Sequence, residues 1–237
     1  FGLLAVKLIL LIVNKLSVAE WTPDWEIHKV GGVSLRSGAI EAAAEWGRTN
    51  TILMATAVGE GSGSFWWKAH CEEMDDEYDE WYDYAVFTID GVEVAKIAGD
   101  SGWQQVEYTV AGAGPHELAW TFSRDDYDED GATWENCAWV DGIMWTPVPV
   151  TVTFAAGGAT EGTAPEIVTK YEGYELVLPG AGTLANGAYV FMGWSDGETI
   201  YASGAVYVFG STNTTLAAVG VFAFVQPLLP GQADPRG

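Results

Sequence analysis

The feature that most constrains this chain is its punctuation. Short runs of aromatic and β-branched residues recur about every ten positions between residues 51 and 145, the spacing of an antiparallel sandwich. Asp90-Gly91, Gly99-Asp100 and the stretch from Gly112 to Pro115 break them apart. Such breaks are turns, because glycine adopts positive φ at no steric cost and proline pre-sets φ. This pattern predicts an all-β chain rather than a helical or α/β one. The predicted strands are 32–36, 51–58, 62–71, 84–90, 92–98, 103–110, 116–123 and 137–145, with 21–29 as a leading strand.

Alternation then assigns faces. In 62–71 it puts Phe65, Trp67, Ala69 and Cys71 on one face and Trp66, Lys68 and His70 on the other. In 137–145 it puts Cys137, Trp139, Asp141, Ile143 and Trp145 together.

Charge narrows the partners. The chain carries 33 acidic and 10 basic residues, a net charge of −23. Nucleic acid is therefore excluded, since phosphate binding needs Lys and Arg to displace counterions. An acidic surface fits a soluble extracellular protein, a cation binder, or simple solvation.

The acids are clustered. Eight of the twelve residues in 72–83 are Asp or Glu, and a second cluster spans 125–130. Within it, Asp126, Asp128 and Asp130 precede Gly131 in the Asp-x-Asp-x-Asp-Gly order of a calcium loop. The twelfth position, where an EF-hand carries its bidentate Glu, is Cys137, and no helices are predicted to flank the loop. An EF-hand is excluded, and calcium held by Asp126, Asp128 and Asp130 is the expectation. Tyr78, Trp81, Tyr82 and Trp134 interleave with the acids. Aromatic faces beside carboxylates suit a glycan, although such rings equally serve as packing.

Two stretches carry resemblances. Gly63-Ser64-Phe65-Trp66-Trp67-Lys68, Ile89-Asp90-Gly91-Val92-Glu93, Gly102-Trp103-Gln104-Gln105, His116-Glu117-Leu118-Ala119-Trp120 and Cys137-Ala138-Trp139-Val140-Asp141 together resemble a jelly-roll module of bacterial surface and secreted proteins. This covers about 30–147 and implies a β-sandwich and an extracellular or cell-surface location, with no settled ligand. After Pro147-Val148-Pro149, the order Val152-Thr153-Phe154, Leu178-Pro179, Phe191-Met192-Gly193-Trp194-Ser195-Asp196-Gly197 and Leu216-Ala217-Ala218-Val219 resembles the internalin B-repeat. That resemblance covers about 150–222 and implies a small β-grasp-like spacer or adhesive module. The expected organisation is an apolar segment over 1–19, a jelly-roll sandwich over 20–147, the repeat module over 148–222, and a Pro/Gly-rich tail over 223–237.

An even cysteine count in a secreted chain suggests a bond between Cys71 and Cys137. Closing that loop would stabilise the fold by about 4 kcal/mol on the chain-entropy model, and would hold both acidic loops at one end.

Residues 1–13 are apolar apart from Lys7. The run is too short for an ordinary membrane span. It resembles the apolar region of a secretory signal, with Ser17 and Ala19 before a cut. Read instead as a mature terminus, Phe1 and its apolar helix resemble type IV pilins, which implies self-assembly through residues 1–19. Ala5 stands where pilins usually carry Glu, and Pro23 would end the helix.

The sequence shows no nucleophile elbow, P-loop or zincin motif. His28, His70 and His116 lie far apart in sequence. The reading is therefore a non-enzymatic surface protein that binds a glycan or a protein ligand. The alternatives are a filament subunit and a carbohydrate-active protein using two loop carboxylates.

Overall fold

Successive side chains of a strand face opposite sides, and burial along the long strands alternates accordingly. Thr49–Val58 buries Thr51, Leu53, Ala55 and Ala57 and turns their neighbours outward. Gly61–His70 does the same with Phe65, Trp67 and Ala69. The computed structural model describes residues 20–38, 40, 47–75, 77, 78, 80–127, 133–187 and 189–222. All described secondary structure is β. The apolar segment 1–19 and the tail lie outside the described residues, and so does the predicted helix.

The chain divides into two units, one up to Val148 and one from Pro149. The first contains β1 (Thr22–Asp24), β2 (Ser34–Arg36), β3 (Thr49–Val58), β4 (Gly61–His70), β5 (Tyr84–Ile89), β6 (Val92–Ile97), β7 (Gln104–Val110), β8 (Pro115–Arg124) and β9 (Cys137–Pro147). They pair as a five-stranded sheet, β1-β2-β9-β4-β7, and a four-stranded sheet, β3-β8-β5-β6. Every pairing in these two sheets is antiparallel. From β2 to β9 each successive strand changes sheet except β5 to β6, which form a hairpin at Asp90-Gly91. That order is the double-sheet jelly roll. The predicted strand 21–29 shrinks to β1, because Asp24 Oδ1 accepts the backbone N–H of Glu26 (2.9 Å) and Ile27 (3.0 Å) and turns the chain.

Between the sheets lies an aromatic core. Phe65, Phe87, Trp120 and Phe122 are almost wholly buried. Phe65 meets Trp67, Phe87 and Trp120 edge-on at centroid distances of 5.5, 4.7 and 5.3 Å. Such pairs add about 1 kcal/mol each beyond the area they bury.

One face assignment changes. Cys137, Trp139 and Asp141 do share a face, but Ile143 and Trp145 turn to the other one and pack into the core. The cause is a bulge. Ser64 pairs Met144 while Trp66 pairs Asp141, so β9 carries one extra residue, with Gly142 at φ +59°.

The second unit contains β10 (Val150–Ala155), β11 (Val168–Lys170), β12 (Glu175–Val177), β13 (Tyr189–Ser195), β14 (Ile200–Tyr201), β15 (Val206–Val208) and β16 (Thr214–Phe222). Its main sheet has the order β11-β10-β16-β13-β14, and β12 pairs β15 separately. β10 and β16 run parallel. The single predicted strand 201–208 splits into β14 and β15 at Gly204, which has φ +81°. Trp194 is completely buried, meets Phe154 at 4.7 Å, and donates its indole N–H to the Pro179 carbonyl at 2.8 Å.

Candidate functional site

The jelly-roll order brings the loop after β4 and the loop after β8 to one end of the sandwich. Tyr84 pairs Ser123 and Thr49 pairs Arg124 at that end of the four-stranded sheet. His70 pairs Cys137 at the same end of the other. Both acidic loops therefore start from neighbouring strand ends.

Asp83 holds them together. Its side chain is buried, Oδ1 accepts the backbone N–H of Asp125 at 3.0 Å, and Oδ2 lies 3.9 Å from Arg124 Nε. Arg124 in turn donates to the Ile40 carbonyl at 2.6 Å. A buried carboxylate facing a guanidinium and a backbone donor resolves its desolvation locally. From the other side, Arg48 donates to the carbonyls of Tyr82 and Trp81, both at 2.6 Å. The sequence reading named none of Arg48, Asp83 or Arg124 as positioning residues. Asp83-Tyr84 and Ser123-Arg124-Asp125 carried the signal, as charges directly at strand ends.

The expected disulfide is corrected. Cys71 and Cys137 are free, buried thiols. The register gives the reason. Cys137 is the cross-strand partner of His70, so both project from the outer face of the five-stranded sheet. Cys71, one residue further on, projects into the core. Bridging would need a disulfide through the sheet. Each sulfur has its own partner instead. Cys71 donates to the Asp83 carbonyl at 3.5 Å, and Cys137 accepts from Nε and Nη2 of Arg36, both at 3.3 Å. Burial pushes the Cys71 thiol up to about 12. Burial also raises Cys137, to about 11, against the opposing pull of Arg36. Neither is a thiolate at neutral pH, so neither is nucleophilic. Native protein should resist iodoacetamide at pH 8 and take up two labels per chain in urea. Rapid labelling without denaturant would contradict this burial.

The four aromatic residues expected to form a glycan platform are distributed rather than joined. Tyr78 sits at the tip of the 72–83 loop and is 68% exposed. Trp81 is half-buried, with Lys96 Nζ 4.9 Å over its ring and Tyr84 at 6.4 Å. Tyr82 is partly exposed, and its neighbour Trp81 faces the four-stranded sheet's Lys96. Trp134 stacks edge-on against His70 at 5.5 Å, beside the five-stranded sheet. No ring contact links any two of the four among the described residues. Of the expected calcium ligands, Asp126 is described, whereas Asp128 and Asp130 lie outside the described residues. Among the described residues no cluster of three or more His, Cys, Asp or Glu is placed to hold a metal.

A strap covers part of the five-stranded sheet's outer face. Asp141 Oδ2 accepts the backbone N–H groups of Lys29 and Val30, both at 2.6 Å. Asp24 accepts the Trp139 indole N–H at 2.9 Å. Burial raises the Asp24 carboxyl, but hydrogen bonds from Ile27, Trp139 and Glu26 prevail and hold it below the usual carboxylate range. On the same face Lys68 and Arg36 lie 4.5 and 5.2 Å over the Trp139 ring, and the strap's own Lys29 lies 4.6 Å over Trp66.

No family model matches the sequence, and no curated protein matches it. Among solved structures the chain is similar to the secreted serine protease VesC from Vibrio cholerae. The identity is 15% and the TM-score 0.37, over 52% of this chain and 22% of that chain. The chain thus spans about a fifth of the length of that structure.

The exclusion of an enzyme made from sequence is corrected by this finding, since the similar structure belongs to a protease. At this TM-score the likeness assigns neither an activity nor a residue to this chain.

Proposed function

We propose that this chain is an extracellular or cell-surface adhesive protein. In this reading the sandwich presents its acidic loop end to a partner, and the second unit acts as a spacer. What supports it most is the pinning of both acidic loops at one end of the jelly roll by Asp83, Arg48 and Arg124. Loops fixed on a rigid sheet scaffold are the usual place for recognition. The motif resemblances to bacterial surface modules and to the internalin B-repeat point the same way, as does the charge of −23.

An antibody against the sandwich, applied to intact producing cells and to lysed ones, tests the location. Staining of intact cells and of the culture supernatant is the expected result. Staining that appears only after lysis would sink the reading.

Calcium belongs to the same proposal. Closely spaced carboxylates repel one another unless a cation intervenes, and a ligand of the folded state stabilises it by mass action. Metal-stripped protein should melt higher in millimolar calcium than in chelator, with Asp126→Ala abolishing the difference. Equal melting in both would leave the acids as a solvated surface.

A further inference from the structure

The strongest unassigned feature lies away from the loop end, on the outer face of the five-stranded sheet. Here β7, β4 and β9 run side by side, and their register builds rows across three strands. Thr109, Ser62 and Thr146 form one row. Glu107, Ser64 and Met144 form the next, and Gln105, Trp66 and Asp141 the third. The strap occupies the third row, through the Asp141 bonds to Lys29 and Val30 and the Lys29 contact with Trp66. The first two rows stay open. They line one side of a cleft of about 610 Å³ that runs past the β7 edge, where its lining takes in the inward-facing Tyr108 and, from the other sheet, Ile89 of β5 and Val94 of β6. That volume lies in the range of small-ligand sites.

The Gly-Ser-Gly-Ser run at 61–64 makes this recess. Its inward glycines are obligatory, because a Cβ at Gly61 would fall 2.6 Å from the Thr146 carbonyl and against the Trp145 ring, and one at Gly63 would overlap the Tyr108 ring. Its outward serines are short, so β4 forms a low floor between the longer side chains of Glu107 and Met144. No protein hydrogen-bond partner is found for the side chains of Ser62, Ser64, Glu107, Thr109 or Thr146 among the described residues.

We propose that this cleft binds a neutral saccharide chain. Five points in the chemistry select that class. Serine and threonine hydroxyls both donate and accept, matching sugar hydroxyls, and Glu107 accepts only. Met144, at the end of the second row and 46% exposed, offers apolar surface for the C–H face of a sugar ring. Glu107 and the absence of any lining cation disfavour an anionic ligand. A single carboxylate is too few for a hard cation, which takes six or more oxygens. Strand spacing and rise make the two open rows roughly 10 Å across and about 7 Å along, room for about two sugar rings. This face is separate from the acidic loops, so the inference stands whether or not the surface reading holds.

Isothermal titration of the full chain with cellohexaose, xylohexaose, laminarihexaose and mannohexaose tests it, with polygalacturonate as the anionic comparator. At least one neutral hexasaccharide should bind and the polygalacturonate should not. Glu107→Gln and Thr109→Val, both conservative at exposed strand positions, should each weaken binding at least tenfold, while their melting temperatures stay within a few degrees of the parent. Tyr78→Ala with Tyr82→Ala, at the loop end, should leave the affinity unchanged. Failure of all four neutral probes to bind overturns the proposal. So does binding that survives in the Glu107→Gln/Thr109→Val double variant, or that is lost in the loop-end variant.

Discussion

Phe65→Ala should cost the sandwich about 4 kcal/mol, the middle of the range for removing a buried phenyl ring. Phe65 has no exposed surface and stands where the two sheets meet. Its ring edges contact Trp67, Phe87 and Trp120, and it tilts against Tyr108 at 6.2 Å. Truncation removes the transfer energy of the ring, the ring-pair contacts and the packing of the space it fills. The surrounding rings are large and locked by one another, so the site cannot collapse onto the cavity. Domains of this size are stable by about 5–15 kcal/mol, so the loss is a large share of the total. Urea unfolding followed by tryptophan fluorescence should show a lower midpoint with unchanged slope. A loss below about 1 kcal/mol would mean that Phe65 is not at the centre of the core, since even a removed methylene costs nearly that much.

Gly193→Ala should be as damaging in the second unit, at about 4 kcal/mol from combined backbone strain and overlap. Gly193 has φ +155°, and a Cβ there would overlap the carbonyl of Tyr201 on β14. That obstacle is backbone, so no side chain can swing aside. The position also sits in a register break, where Phe191 pairs Gly220 and Gly193 pairs Val219. The break lets Phe191 and Trp194, three residues apart, both reach one core. Alanine at 193 therefore strains the strand and displaces the largest side chain in its unit. In calorimetry the transition of the second unit should move down by roughly twenty degrees or vanish. An unchanged transition would show that the β13–β14 pairing can open without cost.

The strands were legible because alternation and turn residues are local properties. Most of the sandwich strands predicted from 51–58 onward match observed ones to within a residue or two. What escaped were parity and register, which depend on a second strand. The bulge at Gly142 reversed the facing of Ile143 and Trp145. A glycine inside a strand-like run was its only local signal. The cysteine pairing failed for the same reason: whether Cys71 and Cys137 share a face is decided by the pairing of His70 with Cys137.

The acidic loops were visible as composition, but their anchoring by Asp83 and Arg48 was not, because those bonds span 42 and 34 residues. The hydroxyl rows were invisible for a stronger reason. Each row draws on three strands, and only Gly-Ser-Gly-Ser hinted that one of them presents short polar groups over large rings.

The parallel pairing of β10 with β16 bears on how the second unit would respond to mechanical tension. The two strands run the same way over Val152–Ala155 and Thr214–Ala217. A pull applied before Val150 and after Phe222 drags one strand backward and the other forward along their shared edge. The hydrogen bonds between them are then stretched sideways and all at once, rather than peeled one after another as at the end of a hairpin. Force must break the set together, and β16 is flanked on its other side by β13, which resists the same slip. A spacer built this way would hold its length under drag until the β10–β16 seam shears.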